Sequence, residues 1–194
     1  MKKKLLALLL SAALLLVLCA CGRGRKTVLF FSSGMDSAGE VYVSGVKRLG
    51  SKNELCVPRR HAGKSVTALS PHAFQGQPIE RVVLTDVIRI DPEAFCGSGL
   101  REVELGKTEE IGSMAFAFCR HLESIRLPAS VQSIGYGAFS ECRNLTRVYF
   151  EGNPSELGDH IFINGNPLLI VFGPAGGSVE AYCRENRIMF LPIG

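Results

Sequence analysis

The chain has 194 residues, enough for one domain of ordinary size and a short appendage. It is 46% hydrophobic and 21% charged, a composition that excludes an intrinsically disordered tail. Three lysines of the apolar leader account for most of the formal charge of +4, because residues 22–194 carry 19 basic and 18 acidic side chains. Such a balance argues against a nucleic-acid binder, which needs clustered positive charge.

Residues 1–21 are typical of a secretory signal peptide. Three lysines precede an uncharged apolar run that ends at Ala20 and is too short to span the ~30 Å hydrocarbon core easily. The sequence Leu18-Cys19-Ala20-Cys21 resembles the lipobox of bacterial lipoproteins. The resemblance implies that Cys21 is lipidated and becomes the mature N-terminus. The alternative is a plain signal peptide in which Cys21 is incidental.

Residues 22–37 follow the leader and begin with a basic, glycine-containing stretch that predicts a membrane-proximal linker. Its first basic residues, Arg23, Arg25 and Lys26, suit contact with anionic lipid head groups. The β-prone run Val28–Phe31 is either a first strand or a cover for the first turn.

The end of this segment, Ser33-Gly34-Met35-Asp36-Ser37, resembles the phosphate loop of the ATP-pyrophosphatase family. Such a loop needs a helix N-terminus after it, so that backbone N–H groups point at the anion. Glycines interrupt the residues that follow, and no long amphipathic helix is predicted there. An ATP-binding enzyme is therefore the remote alternative.

A repeat of 21–23 residues occupies the middle of the chain. The repeat is marked by a set of phenylalanines spaced by 21, 21, 23 and 23 residues. A Leu or Ile lies five residues before each of them, and another lies five or six residues after, ending with Leu168. We expect these phenylalanines to form the structural core of the repeat: Phe74, Phe95, Phe116, Phe139 and Phe162.

Each repeat carries one short segment of period two, such as REVEL or ESIRL, which predicts a strand with one buried face. A chain that returns to the same edge every 21–23 residues makes successive strands parallel neighbours, ~4.8 Å apart. The predicted fold is a β-solenoid of leucine-rich repeat type. It is a right-handed parallel coil of about five turns with short turn helices and a small C-terminal cap.

The segment IGSMAFAFCRHLESIRLPASVQSIGYGAFSECRNLTRVYF resembles the BspA-like leucine-rich repeat. The resemblance implies an N-terminal cap turn over residues 38–65, repeats over 66–173 and a C-terminal cap over 174–194. Within that last cap we expect a helix from Val179 to Asn186, with Ser178 as its N-cap, and a strand from Ile188 to Leu191.

Side chains that carry chemistry do not converge in the sequence. Cys119 and Cys142 share one offset in the repeat and are expected as small buried residues, free or bridged. The four histidines fall at different offsets, and no Cys-x-x-Cys pair occurs, so we expect no metal site. No nucleophile or nucleotide-binding motif stands out, and we predict neither enzymatic activity nor a cofactor nor a small-molecule substrate.

The outward strand positions are the candidate binding surface. They form two columns, in which Arg81 faces Glu102, Glu104 faces Arg126, and Arg126 covers a tyrosine. Either these residues only solubilise the sheet, or they present Tyr and Arg to a partner. The candidate binding residues are Arg81, Glu102, Glu104, Arg126, Arg147 and Tyr149.

The sequence therefore predicts a secreted, lipid-anchored protein of the cell surface or envelope. Its expected role is a protein–protein interaction, and the family resemblance implies adhesion to host or neighbouring-cell proteins. The membrane is a partner through the lipid anchor alone. A structural envelope protein without a soluble ligand is the main alternative.

Overall fold

The computed structural model describes residues 15–21, 25–35, 41–48, 54–61 and 63–193. The described strands and helix are these, in chain order: β1 Leu15–Cys21, β2 Arg25–Met35, β3 Val41–Arg48, β4 Glu54–Cys56, β5 Arg60–His61, β6 Lys64–Leu69, β7 Arg81–Leu84, β8 Arg89–Ile90, β9 Glu102–Leu105, β10 Glu110–Ile111, β11 Ser124–Leu127, β12 Ser133–Ile134, β13 Arg147–Phe150, β14 Glu156–Leu157, β15 Ile170–Gly173, α1 Ser178–Glu185 and β16 Met189–Pro192.

The chain coils into a solenoid, as the sequence predicts. Each turn after β6 adds one two-residue strand to an inner ladder of order β6-β8-β10-β12-β14, in which every pairing is parallel. Each turn also adds one four-residue strand on the outer side, which we call the outer ladder. The side chains alternate between core and surface along these strands, because successive residues point to opposite faces.

The phenylalanine column is confirmed. Five rings from successive turns lie nearly parallel, with centroids 5.2, 5.3, 5.3 and 5.8 Å apart, and the first four are completely buried. A single turn could not bury its own ring, so each turn depends on its neighbours for its core. Full burial of each ring contributes about 2–3 kcal/mol.

The solenoid has about six turns, one more than expected. The sixth follows Phe162 by 20 residues, and Tyr182 of α1 packs its ring edge-on against Phe162 at 6.3 Å. The hydroxyl of Tyr182 accepts a hydrogen bond from the Ile161 amide at 2.8 Å. In the sixth turn a tyrosine on a helix thus takes the place of the phenylalanine. The phenylalanine spacing alone therefore does not predict this last repeat.

The turns around the phenylalanines are not the short helices that we expected. Their amides bond to the next turn of the solenoid, as in Phe74 N–H to Ala94 O at 2.7 Å and Phe95 N–H to Ala115 O at 2.8 Å. Residues two before and two after each ring adopt left-handed backbone angles, which interrupt a right-handed helix. The members of this set are His72, Gly76, Glu93, Gly97, Met114, Phe118, Gly137, Glu141, His160 and Asn164.

One apolar position of the fifth repeat differs from the prediction. Leu168, expected in the core, is 76% exposed, and Leu169 takes the buried place. The turn after Phe162 is therefore one residue longer than those after Phe116 and Phe139. Gly135 shows how closely the turns pack, because a Cβ there would lie 2.5 Å from the Ser113 nitrogen of the preceding turn.

The outer ladder is divided where the repeat lengthens. Strands β4, β7 and β9 form one sheet, and β11, β13, β15 and β16 form another. The phenylalanine spacing changes from 21 to 23 residues at Phe116, which lies between β9 and β11. Beside the division, Val103 and Leu105 of β9 are partly exposed, whereas Ile125 and Leu127 of β11 are buried.

The N-terminal end adds strands that the repeat does not predict. Part of the expected linker forms β2, which pairs antiparallel with β3, and β3 in turn pairs parallel with β6. Leu15–Cys21 of the predicted leader pairs antiparallel with β2. Gly63, with φ of +82°, turns the chain between β5 and β6.

The C-terminal cap contains a helix and a strand, as expected, but its start is different. The N-cap of α1 is Gly177, not Ser178, which is the first helical residue. The hydroxyl of Ser178 instead donates a hydrogen bond to the Pro154 carbonyl at 2.6 Å, tying the cap to the preceding turn. The carboxylate of Glu180 accepts a bond from the Gly176 amide at 2.7 Å and so covers the N-terminus of α1.

Candidate functional site

The outward side chains of the outer ladder form the candidate site, which we call the outer strand face. The strand register places Glu54, Arg81 and Glu102 in one column of the first sheet, with Val83 and Glu104 in the neighbouring column. In the second sheet, the two columns continue through residues of the same outward parity: Ser124, Arg147, Ile170 and Met189 in one, and Arg126, Tyr149, Phe172 and Leu191 in the other.

An ionic cluster covers the first sheet, with Arg81 at its centre. The Arg81 guanidinium donates a hydrogen bond to Glu54 at 2.8 Å and another to Glu104, and its Nε lies 3.1 Å from Glu102 Oε2. Its hydrogen bond to Glu104 raises the pKa of Arg81 above the usual value. The cluster of one cation and three carboxylates keeps a net negative charge, but its cation is fully engaged, so Arg81 is not free to recruit an anionic group of a partner.

Arg126 and Glu104 do not form the ion pair expected from the sequence. Glu104 bonds to Arg81, and Arg126 Nη1 lies 3.4 Å from Glu151 Oε1. The expectation assumed an unbroken ladder, whereas the two residues lie on opposite sides of the division between β9 and β11.

An aromatic row covers the second sheet. Tyr149 stacks on Phe172 with ring centroids 4.6 Å apart and an interplanar angle of 13°. The Arg126 guanidinium carbon lies 4.8 Å from the centroid of the Tyr149 ring, within cation–π distance. These contacts hold the three stacked groups in the free protein, while Arg126 remains 60% exposed.

Apolar residues extend the aromatic row to the last strand. Met189 is 60% exposed, and Ile170, Phe172 and Leu191 are at least partly exposed. The sequence prediction ended at Tyr149 because the columns were followed through four repeats only. The alternating run Ile170–Phe172 and the cap strand both carry the signal that would have extended it.

A cavity of about 650 Å³ opens beside this extension, between the turn after Phe162 and the residues after α1. Leu168, Ile170 and Met189 contribute its apolar side, and Asn166 and Arg187 are among its polar residues. The exposed apolar surface of the second sheet therefore continues around the C-terminal end of the solenoid.

Four of the buried cysteines are inert packing groups, whereas Cys56, which is also buried, is disulfide-bonded. Cys96, Cys119, Cys142 and Cys183 are free thiols. Cys119 Sγ donates to the Phe95 carbonyl at 3.3 Å and Cys142 Sγ to the Phe116 carbonyl at 3.1 Å, so each closes its turn onto the one before. Burial raises the pKa of the Cys119 thiol to about 12 and raises that of Cys142 as well, which suppresses the reactive thiolate.

The described part of the chain shows no geometry that supports a phosphate-binding loop, a metal site or a membrane-spanning helix. Ser33, Gly34 and Met35 lie inside β2, paired to β3, rather than in a phosphate-binding loop; Asp36 and Ser37 lie outside the described residues. The described residues contain no cluster of three or more His, Cys, Asp or Glu that could hold a metal ion. Among the same residues, no helix has the length and apolarity needed to cross a membrane.

The predicted lipidation site, Cys21, is the last residue of β1, at the first edge of the sheet that contains the inner ladder. The lipobox remains a prediction from sequence.

Comparison with known proteins agrees with this architecture. A family model of the BspA type leucine rich repeat region matches residues 67–186 in six copies. No curated protein matches the chain significantly.

Several solved structures share the fold. A leucine-rich repeat protein of T. pallidum is 28% identical over 84% of this chain and 80% of its own, with a TM-score of 0.68. A leucine rich cell surface protein of Faecalibacterium prausnitzii is 21% identical over 83% of this chain and 40% of its own, with a TM-score of 0.61. The pneumococcal vaccine antigen PcpA is 20% identical over 76% and 49%, with a TM-score of 0.56. The chain thus spans less than half of the last two.

Proposed function

The chain belongs to the BspA-type leucine-rich repeat family, and from that premise we propose that it binds a protein partner through the second sheet of its outer strand face. The observation that carries the proposal is the row Arg126, Tyr149 and Phe172, stacked in the free protein and open to solvent. Arginine and tyrosine are enriched in binding hot spots. Groups already held in place lose little side-chain entropy when a partner covers them.

The second sheet is a better candidate than the first because it leaves an exposed arginine available to a partner, whereas the arginine of the first sheet is already surrounded by carboxylates. In the first sheet, three carboxylates already surround Arg81, and a partner would have to displace them. In the second, Arg147 is exposed beside the aromatic row, and the apolar residues Ile170 and Met189 continue it. We expect the partner to present an apolar or aromatic patch flanked by carboxylates.

We further propose that Cys21 carries a lipid that holds the protein at the cell surface or envelope. Support comes from the lysine-rich leader, the apolar run and the sequence Leu18-Cys19-Ala20-Cys21. A neighbour of similar fold, from Faecalibacterium prausnitzii, is described as a cell surface protein. Acyl chains buried in the bilayer contribute about 0.8 kcal/mol per CH₂ group, and more than one chain gives stable anchoring. An adhesin-like role follows from display at that address.

The test of binding is a titration of the full chain, in detergent micelles, against purified extracellular-matrix and cell-surface proteins. Tyr149→Ala should weaken a saturable interaction at least tenfold, because it removes the middle of the aromatic row. The matched control is Tyr136→Ala. Tyr136 is 52% exposed and contacts the ring of His160 edge-on at 5.6 Å, outside the outer ladder.

The outcomes separate the candidate functions. Loss of binding in Tyr149→Ala alone, with an unchanged melting temperature, supports the second sheet as the interface. Equal loss in both variants contradicts it. Absence of any saturable partner favours a structural envelope protein, the second candidate, and ATP turnover that depends on Asp36 would favour the enzyme.

A further inference from the structure

Residues 22–194, which are near neutral in total, are strongly polarised in charge along their length. Residues 22–65, which precede the repeats, carry nine basic and three acidic side chains. Residues 66–194, the repeats and the C-terminal cap, carry ten basic and fifteen acidic ones. The first segment thus has a formal charge of +6 and the second of −5. Such asymmetry between two parts of one chain is typical of a segment that meets an anionic surface.

The structure places part of this positive charge on the outside. Arg59, Arg60 and Lys64 are exposed, and the last two lie on the hairpin of β5 and β6. Arg59 pairs with Asp86, which also lies 3.1 Å from Lys107 Nζ. One carboxylate therefore serves two cations whose side chains are 66% and 69% exposed, and the local charge stays positive.

The basic segment also lies near the proposed anchor. The ladder order β1-β2-β3-β6 puts the hairpin strand two steps from β2, or ~10 Å at the usual strand spacing. Strand β14 lies six steps from β2, or ~29 Å. Because charges in physiological salt are screened over ~8 Å, a membrane at the first edge attracts the basic segment and scarcely acts on the last turns.

We propose that the exposed basic side chains before the repeats, Arg59, Arg60 and Lys64, form an electrostatic contact with an anionic phospholipid surface. The acidic repeats are repelled by the same surface, so the solenoid stands with its first edge on the membrane and its C-terminal turns away from it. The inference rests on the proposed anchoring at Cys21. It goes further, because it fixes an orientation that exposes the second sheet of the outer strand face.

The test compares the chain isolated from cell membranes, with the state of Cys21 determined by mass spectrometry, on vesicles of phosphatidylcholine and on vesicles with 30% phosphatidylglycerol. Arginine modification by phenylglyoxal is followed by mass spectrometry, with Arg60 as the reporter and Arg184, exposed in α1, as the internal reference. A basic residue near an anionic surface is held by about 1 kcal/mol, or about fivefold. We therefore expect Arg60 to react about fivefold more slowly on the anionic vesicles and Arg184 to react equally on both. Salt at 1 M, where screening acts over ~3 Å, should abolish the difference.

Two matched variants sharpen the result. Lys64→Gln removes one exposed positive charge from the hairpin and should reduce the protection of Arg60. Arg187→Gln removes one exposed positive charge at the far end and should leave that protection intact.

Each other outcome is decisive. Equal reactivity of Arg60 on both vesicles, with the chain floating on both, overturns the contact and leaves the anchor standing. If Arg60 is already protected on neutral vesicles, and this protection grows with protein density, the lipid contact is overturned. The basic side chains would then contact the acidic repeats of a second copy of the chain. Recruitment by anionic vesicles alone, with Cys21 unmodified, refutes the anchor and supports the contact. No recruitment by either refutes both.

Discussion

The 21-residue turns and the 23-residue turns share one aromatic core but present different surfaces. In the short-turn region, residues 66–115, the outer strand face is an ion-pair cluster around Arg81. In the long-turn region, residues 116–173, it is an aromatic row with apolar neighbours. The outer ladder divides between the two regions, whereas the inner ladder and the phenylalanine column pass through both.

The turns differ in the same way. The left-handed residue two places after the ring is glycine in the short-turn region, at Gly76 and Gly97. In the long-turn region it is Phe118, Glu141 or Asn164, although all five positions have nearly the same φ. The stacked ring and the two left-handed positions therefore define the turn in both regions. Strand pairing, surface chemistry and repeat length vary around them.

Disrupting the phenylalanine column that the two regions share should lower the stability of the fold more than any other change considered below. Phe116 is fully buried between the rings of Phe95 and Phe139, at the point where the repeat length changes. We expect Phe116→Ala to lower the free energy of unfolding by about 3–5 kcal/mol, because it leaves a cavity in the column. Urea unfolding should be followed by circular dichroism and by tyrosine fluorescence, which reports mainly on Tyr136, Tyr149 and Tyr182.

Phe116 should also couple the two regions, since the outer ladder does not. In the variant, the two probes should therefore give different midpoints. Phe118→Leu is the control, two residues further on at a side chain that is 36% exposed, and should change stability by less than about 0.5 kcal/mol. Coincident transitions with a small loss in Phe116→Ala would show that the continuous inner ladder, rather than the phenylalanine column, couples the two regions.

A smaller effect sharpens the difference between the turns. Gly97 has φ of +69° and open space at its Cβ position, so Gly97→Ala tests backbone strain alone. We expect it to lower stability by about 1 kcal/mol. Phe118→Gly, at the equivalent position of the next turn, should raise stability by up to about 1 kcal/mol, because it relieves a bulky residue with φ of +58°.

Both predictions are checked by comparing the melting temperatures of Gly97→Ala and Phe118→Gly with that of the parent chain. In a right-handed conformation, Gly→Ala would stabilise the chain through the entropy of the unfolded state. A higher melting temperature for Gly97→Ala would therefore contradict the left-handed turn.

The core of the fold could be predicted from the sequence because its signal recurs at a fixed offset. Phe74 to Phe162 and the aliphatic residue five places before each ring survive every change of repeat length. The sixth turn escaped because Tyr182 and a helix replace the usual turn. For Val28–Phe31 the sequence left a first strand or a cover for the first turn as alternatives, and these residues lie in β2. Strand β3 was not predicted because it belongs to no repeat and is defined by its pairing with β2 and β6.

The candidate site could be predicted in part, for a related reason. Offsets place Arg126 next to Tyr149, and the structure brings them together. The pairing of Glu104 with Arg126 failed because it depends on whether neighbouring turns keep their hydrogen bonds, and the length of the intervening turn decides that. The buried position predicted at Leu168 was wrong by one residue, because an extra residue in the turn shifts every later position of that repeat.

The smallest effect concerns the charges of the short-turn region. Hydrogen bonds from Arg59 and Lys107 lower the pKa of Asp86 from 3.8 to about 2. A carboxylate with a lowered pKa stabilises the fold above its unfolded-state value, and that contribution disappears as pH falls from about 4 to about 2. Asp86→Asn should therefore flatten the decline of the melting temperature across this interval and leave the curve above pH 5 parallel to that of the parent chain. The control is Asp159→Asn, at an exposed carboxylate in the long-turn region, which should keep the parent slope. If Asp86→Asn and the parent decline equally between pH 4 and 2, the acid sensitivity lies outside the ion pairs that Asp86 forms with Arg59 and Lys107. The ionic surface of the short turns would then contribute to solubility rather than to stability.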